Sequence, residues 1–235
     1  MSKTSFSLLA AALLGVVTAP AATAATPPEA TAAAYVFTDG TATEGLTAEN
    51  ADIAAPLLAS GYTAAHPGWD IRLSDETYAP ADMRVQDYRA KASHTGTGAG
   101  ASTSGFVSLV DGGSVPFAVV RPHSRSVSCT VDGPLFTGGG GGYGVWVRGA
   151  SGALELVDVD ATGVTTAVPA GQAGGAHVPT TVKVNRYSVV GQLSGYSAFA
   201  KYDGRAKAGT LGWELEITQG AQTYRVLVGA VAASC

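Results

Sequence analysis

Residues 210–235 read TLGWELEITQGAQTYRVLVGAVAASC. Leu211, Trp213, Leu215 and Ile217 alternate with Gly212, Glu214, Glu216 and Thr218. A strand turns successive side chains to opposite faces, so this period of two marks a strand with one dry and one wet face. Gln219, Gly220 and Ala221 supply a turn. Tyr224, Val226 and Val228 then take one side of a second run, with Thr223 and Arg225 on the other. The stretch reads as a β-hairpin. It ends on Cys235, and the chain has one other cysteine, Cys129. The hairpin is expected to close a β-fold and to be stapled to an earlier strand.

Working back from it, strand-like runs recur at 106–110, 115–120, 126–131, 145–147, 154–159, 164–168, 181–184 and 196–202. Gly112-Gly113, Asp132-Gly133, Thr162-Gly163 and Asp203-Gly204 punctuate them. Short strands at regular spacing with glycine turns predict a mainly β domain over 106–235, a β-sandwich or an open β-barrel. Within 126–131, Val127, Cys129 and Val131 share one face, which aims the sulfur at the core.

The earlier part reads differently. Residues 93–105 (SHTGTGAGASTSG) are low in complexity and are expected to form a flexible Gly/Ser/Thr-rich loop or soft boundary. Residues 35–92 read as a mixed, loop-rich portion. In it Tyr35, Val36 and Phe37 form a short strand, and residues 47–60 a helix capped by Thr47. Trp69, Ile71 and Leu73 alternate as a strand, 75–82 is a loop, and 83–91 is a strand or a frayed helix. Residues 25–34, rich in Ala, Pro and Thr, are expected to be a disordered leader. Residues 1–24 have the form of a signal peptide: Lys3, an apolar run over 6–17 too short to span a bilayer, and Ala22-Thr23-Ala24 as a small-x-small cleavage site. Cleavage is expected after Ala24, which makes the protein secreted or extracellular.

The chain of 235 residues carries 14 Lys and Arg against 18 Asp and Glu, a formal charge of −4. A mildly acidic, charge-poor chain argues against nucleic acid or an anionic membrane as partner, because each calls for a basic patch. Two cysteines in an exported protein should pair. Closing a loop of about 100 residues is worth roughly 4–5 kcal/mol by chain entropy.

The familiar chemical motifs fail on inspection. Residues 138–142 are all glycine, yet Val145-Trp146 stands where a phosphate loop needs Lys-Ser/Thr. Asp158, Asp160, Thr162 and Gly163 fit the start of a calcium loop, but Pro169 occupies the position of its bidentate glutamate. Asp70, Asp75, Glu76, Asp82 and Asp87 could hold a glycosidase carboxylate pair, though no spacing shows two of them facing each other. His66, His94, His123 and His177 lie far apart, with no metal-binding spacing. No Gly-x-Ser-x-Gly elbow occurs. No cofactor or catalytic residue is assigned.

One aromatic pair is singled out. If Val145 and Val147 are core, Trp146 faces outward beside Tyr143 and the glycine run, where flat rings stack on sugars or on a partner protein. The commoner alternative is that Trp146 packs under that loop or into a second sheet.

Three features, Ser-Val-Ser-Cys-Thr-Val-Asp at 126–132, the glycine-punctuated middle, and Val-Gly-Ala-Val-Ala-Ala-Ser-Cys at 228–235, resemble the choice-of-anchor P type of secreted Gram-positive bacterial protein. The resemblance covers 106–235 and implies a β-sandwich at the cell surface without known enzyme activity. The chain ends at Cys235 without a sorting motif or apolar tail, so no membrane anchor is expected in the mature form.

The expectation is an exported, non-catalytic β-rich protein with a structural or binding role, its partner a cell-wall polymer, a carbohydrate or another surface protein. The alternative is a small secreted hydrolase or carbohydrate-binding protein.

Overall fold

The computed structural model describes residues 28–40, 43–49, 63–65, 70–78, 83–95, 98–110, 115–121, 125–138, 144–157, 164–168 and 178–235, parts of the strands by their backbone alone. In chain order the strands are β1 (Glu29–Thr38), β2 (Thr43–Glu49), β3 (Thr63–Ala65), β4 (Asp70–Tyr78), β5 (Met83–Thr95) and β6 (Gly98–Leu109). Then come β7 (Ala118–Arg121), β8 (Arg125–Thr130), β9 (Gly133–Thr137), β10 (Gly144–Arg148), β11 (Leu154–Val157), β12 (Val164–Val168) and β13 (Thr180–Tyr187). A one-turn helix α1 (Ser197–Ala200) precedes β14 (Ala208–Gln219) and β15 (Gln222–Ser234).

All pairings are antiparallel, and they make two sheets that do not close into a barrel. One sheet runs β12-β13-β14-β15-β1-β2. The other runs β11-β10-β7-β6-β5-β4-β3, with β8 joining β6 beside β7 and carrying β9. Their inner faces share one core, which decides for the sandwich over the open barrel.

The C-terminal hairpin is as its alternation predicts. Leu211, Trp213, Leu215 and Ile217 of β14 and Tyr224, Val226 and Val228 of β15 all enter the core between the sheets. Beyond Val228 the phase slips. Gly229 sits at φ +62°, a left-handed conformation glycine adopts without a Cβ penalty, and Val231 and Ala233 resume the inner face.

The first strand corrects the expected leader. From Glu29 onward, residues 25–34 belong to β1, a central strand paired with both β15 and β2. Ala30, Ala32 and Ala34 face the inter-sheet core, while Ala33 packs on the outer side. A strand buried on both faces shows no alternation, and a run of alanines carries the composition of a linker. The short strand at Tyr35, Val36 and Phe37 is the end of this element.

The low-complexity stretch 93–105 is likewise no boundary. It supplies the end of β5 and the start of β6, whose register runs from Thr95↔Gly98 to Met83↔Leu109. Ala99, Ala101 and Thr103 are buried. Small side chains let the second sheet approach closely, a packing that composition disguises. The division at 93–105 is thereby corrected: the earlier strands enter both sheets.

The helix expected over 47–60 is corrected where it is described, since Thr47, Ala48 and Glu49 end β2; residues 50–60 lie outside the described residues. Residues 75–78 extend β4 instead of looping, and 83–91 is strand. Residues 1–24, expected to be a signal peptide, also lie outside the described residues.

Residues 196–202 do not form a strand. They contain α1 within a chain of turns over 188–207 that covers the outer face of the first sheet. Leu193, Phe199 and Tyr202 are buried there, with Tyr196 packed beside them. The spacing of 193, 196, 199 and 202 is three, the period of tight helical turns, whereas Tyr196, Ala198, Ala200 and Tyr202 mimic strand alternation. Tyr202 shares a 2.8 Å hydrogen bond with Thr31, and Glu29 pairs with Arg205 at 3.1 Å, so the covering segment is tied to β1.

Candidate functional site

The covering segment leaves a groove of about 530 Å³ against β1, β2, β14 and β15. Its chemical centre is Glu214. Alternation along β14 sends Glu214 to the outer face, which the sequence reads as wet. The segment 188–207 closes over it, and Glu214 is only 4% exposed. A buried carboxylate is costly unless its oxygens accept hydrogen bonds. Here Oε1 accepts from the Tyr187 hydroxyl at 2.8 Å and from Asn185 Nδ2 at 3.3 Å. Oε2 accepts from the Tyr196 hydroxyl at 2.5 Å. Asn185 is the cross-strand partner of Glu214, and Tyr187 follows two residues later on the same face of β13. Tyr196 comes down from the covering segment.

This arrangement fixes the phenols as donors. Burial, together with the hydrogen bond to Glu214, pushes Tyr187 up to about 12. The same two causes raise Tyr196 further. Both stay protonated at neutral pH. Arg225, across the strand pair on β15, donates Nε and Nη2 to Glu216 Oε2 at 3.3 and 3.0 Å. Burial pulls its pKa down, but the charge of Glu214 and the bond to Glu216 outweigh that and leave it raised. Thr38, Thr47, Gln192 and Ser197 complete the polar lining. Gln192 is set by its carbonyl oxygen, which accepts the backbone N–H groups of Ser188 and Val189, each at 2.9 Å.

The two cysteines meet. Cys129 and Cys235 form a disulfide with Cα atoms 5.4 Å apart, 106 positions apart in sequence. It joins β8 of one sheet to the end of β15 in the other. Cys129 packs against the shared core beside Val127, whereas Val131 has left the strand for a turn and is 87% exposed. Lys207 reinforces the corner: its carbonyl accepts Cys235 N–H at 3.1 Å and its ammonium donates to the Val131 carbonyl at 2.9 Å.

Val145 and Val147 are core, and Trp146 does face the other way. It is half-buried, with the Arg121 guanidinium 5.6 Å from its ring and also 5.5 Å from that of Phe106. Leu156, its cross-strand neighbour, is 62% exposed. Tyr143, residues 158–163, and the histidines and acidic side chains of the first hundred residues that were weighed above lie outside the described side chains, as do His123 and His177. Among the described residues no group of three or more His, Cys, Asp or Glu converges on a point. No family model, curated protein or solved structure matches the chain.

Glu214, Tyr187, Tyr196 and Asn185 were not singled out from sequence. A faint signal existed: a glutamate on a strand otherwise rich in Leu, Trp and Ile, preceded by two tyrosines at 187 and 196. Without the covering segment, nothing marked that face as dry.

Proposed function

We propose that the chain is an exported β-sandwich protein that acts at or beyond the cell surface by binding and without catalysis. The observation that carries this reading is the Cys129–Cys235 crosslink. A disulfide between sheets persists in an oxidising compartment and is scarce where thiols are kept reduced. The signal-peptide form of residues 1–24 and the likeness of 106–235 to choice-of-anchor P proteins support the same reading. The groove at Glu214 supports a binding role over a purely structural one: a buried carboxylate held by three donors beneath a covering segment is a built polar site.

The test is expression of the full chain in a Gram-positive host that secretes through its general pathway. The mature protein is expected in the medium, beginning at Ala25 and two hydrogens lighter than its reduced form. Retention in the cytosol with both thiols free would overturn the reading.

A further inference from the structure

The geometry points to the groove between residues 188–207 and strands β1, β2, β14 and β15 as a binding site for a neutral saccharide. This assignment rests on the binding role proposed above and gives it a location and a ligand class.

Three observations carry it. The first is an unused hydroxyl. Thr47 lines the groove, is 6% exposed, and its Oγ1 has no hydrogen-bond partner among the described residues. A buried hydroxyl left without a partner is costly, and a ligand hydroxyl filling the groove would satisfy it both as donor and as acceptor.

The second is the lone-pair inventory at Glu214. A carboxylate offers about four acceptor sites. Asn185 and Tyr187 occupy Oε1, and Tyr196 takes one site on Oε2. One acceptor remains on Oε2, at the wall formed by Tyr196. The amide nitrogen of Gln192 adds a donor whose orientation is fixed by the bonds to its oxygen. Mixed donors and acceptors held in fixed directions are what a ring of hydroxyl groups requires.

The third is charge. The groove is lined by one carboxylate, Glu214, and one guanidinium, Arg225. An anionic ligand would meet a buried carboxylate, and a cationic one would meet Arg225, so neither sign is favoured. The apolar lining of Tyr187, Tyr196, Val36, Ala198 and Phe199 offers flat surface to the C–H face of a sugar ring. A volume of about 530 Å³ falls in the range of small-molecule sites and admits one or two rings.

The test uses the full chain purified in its oxidised form and ligand-observed saturation-transfer NMR. The probes are glucose, galactose, N-acetylglucosamine and their β-linked disaccharides, with glucosamine and glucuronate as charged comparators. At least one neutral sugar is expected to bind. Thr47→Val, which keeps the shape of the side chain, and Tyr196→Phe are each expected to weaken it about tenfold, while circular dichroism shows an unchanged fold. Trp146→Ala, on the opposite sheet, is expected to leave binding unchanged. The assignment is overturned if none of the neutral probes binds, if only a charged comparator binds, or if Trp146→Ala abolishes binding while the groove variants retain it. In those cases secretion and the crosslink still stand. A reduced cytosolic protein would instead remove the export reading and leave the groove assignment to the NMR result.

Discussion

The Tyr196 hydroxyl lies 2.5 Å from Glu214 Oε2, and this one bond joins the covering segment to the strand that organises the chain. A hydrogen bond to a charged acceptor is short and about twice as strong as a neutral one. Tyr196→Phe should therefore destabilise the fold by about 1–3 kcal/mol, because Glu214 stays buried with one donor fewer. Urea unfolding monitored by tryptophan fluorescence measures it. A double-mutant cycle with Glu214→Gln should show that the two losses do not add.

The raised phenols set an alkaline limit. Tyr187 stands at 10.0 when unfolded and about 12 when folded, so its contribution is complete below pH 10 and is lost as pH climbs toward 12. Tyr196 shifts in the same direction. Stability should fall across that window as the unfolded chain releases protons the fold retains. Tyr187→Phe should flatten the fall, read from melting temperatures at stepped pH, and tyrosinate absorbance should rise later for the folded protein than for the denatured one.

Backbones approach closely where Gly45 of β2 meets β1. A Cβ on Gly45 would stand 2.6 Å from the Tyr35 carbonyl oxygen and 2.9 Å from Val36 Cα. Backbone cannot swing aside as a side chain can, so Gly45→Ala should cost about 1–3 kcal/mol. Gly195→Ala, with nothing within 4 Å of the new carbon, should stay within about 0.5 kcal/mol of the parent. Paired denaturation curves decide it.

Two tryptophans on opposite sheets should behave differently. Trp213 is 3% exposed in the shared core, and the Arg125 guanidinium lies 4.3 Å from its ring. Trp213→Ala should cost about 3–5 kcal/mol. Trp146, half-buried on the outer face under Arg121, should cost about 1 kcal/mol on the same change, chiefly its cation–π contact. Equal losses would contradict the assignment of their faces.

What the sequence made legible follows from which faces meet water. β14 has one face in the core, so its alternation could be read residue by residue, and the same holds for Val145 and Val147 in β10. β1 is buried on both sides and rich in alanine before Tyr35, so only its Tyr35-Val36-Phe37 end was legible as strand. β5 and β6 pair through small residues whose composition matches a linker. The site was hidden for a related reason. Glu214 lies on the face that alternation calls wet, and only the three-residue spacing of Leu193, Tyr196, Phe199 and Tyr202 hints at the turns that cover it. The cysteine pair was legible because two thiols leave one way to combine within a single chain.

The crosslink between the sheets underlies both the architecture and the proposed export. Replacing both cysteines by serine should lower stability by about 4–5 kcal/mol by chain entropy, and reductant should do the same to the parent. The most direct measurement is a non-reducing peptide map of the purified protein after thiol alkylation. One covalent pair of peptides, containing Cys129 and Cys235 and separating only on reduction, is the predicted result. Alkylated Cys129 and Cys235 in unreduced protein, or a bridge between two copies of Cys235, would contradict it.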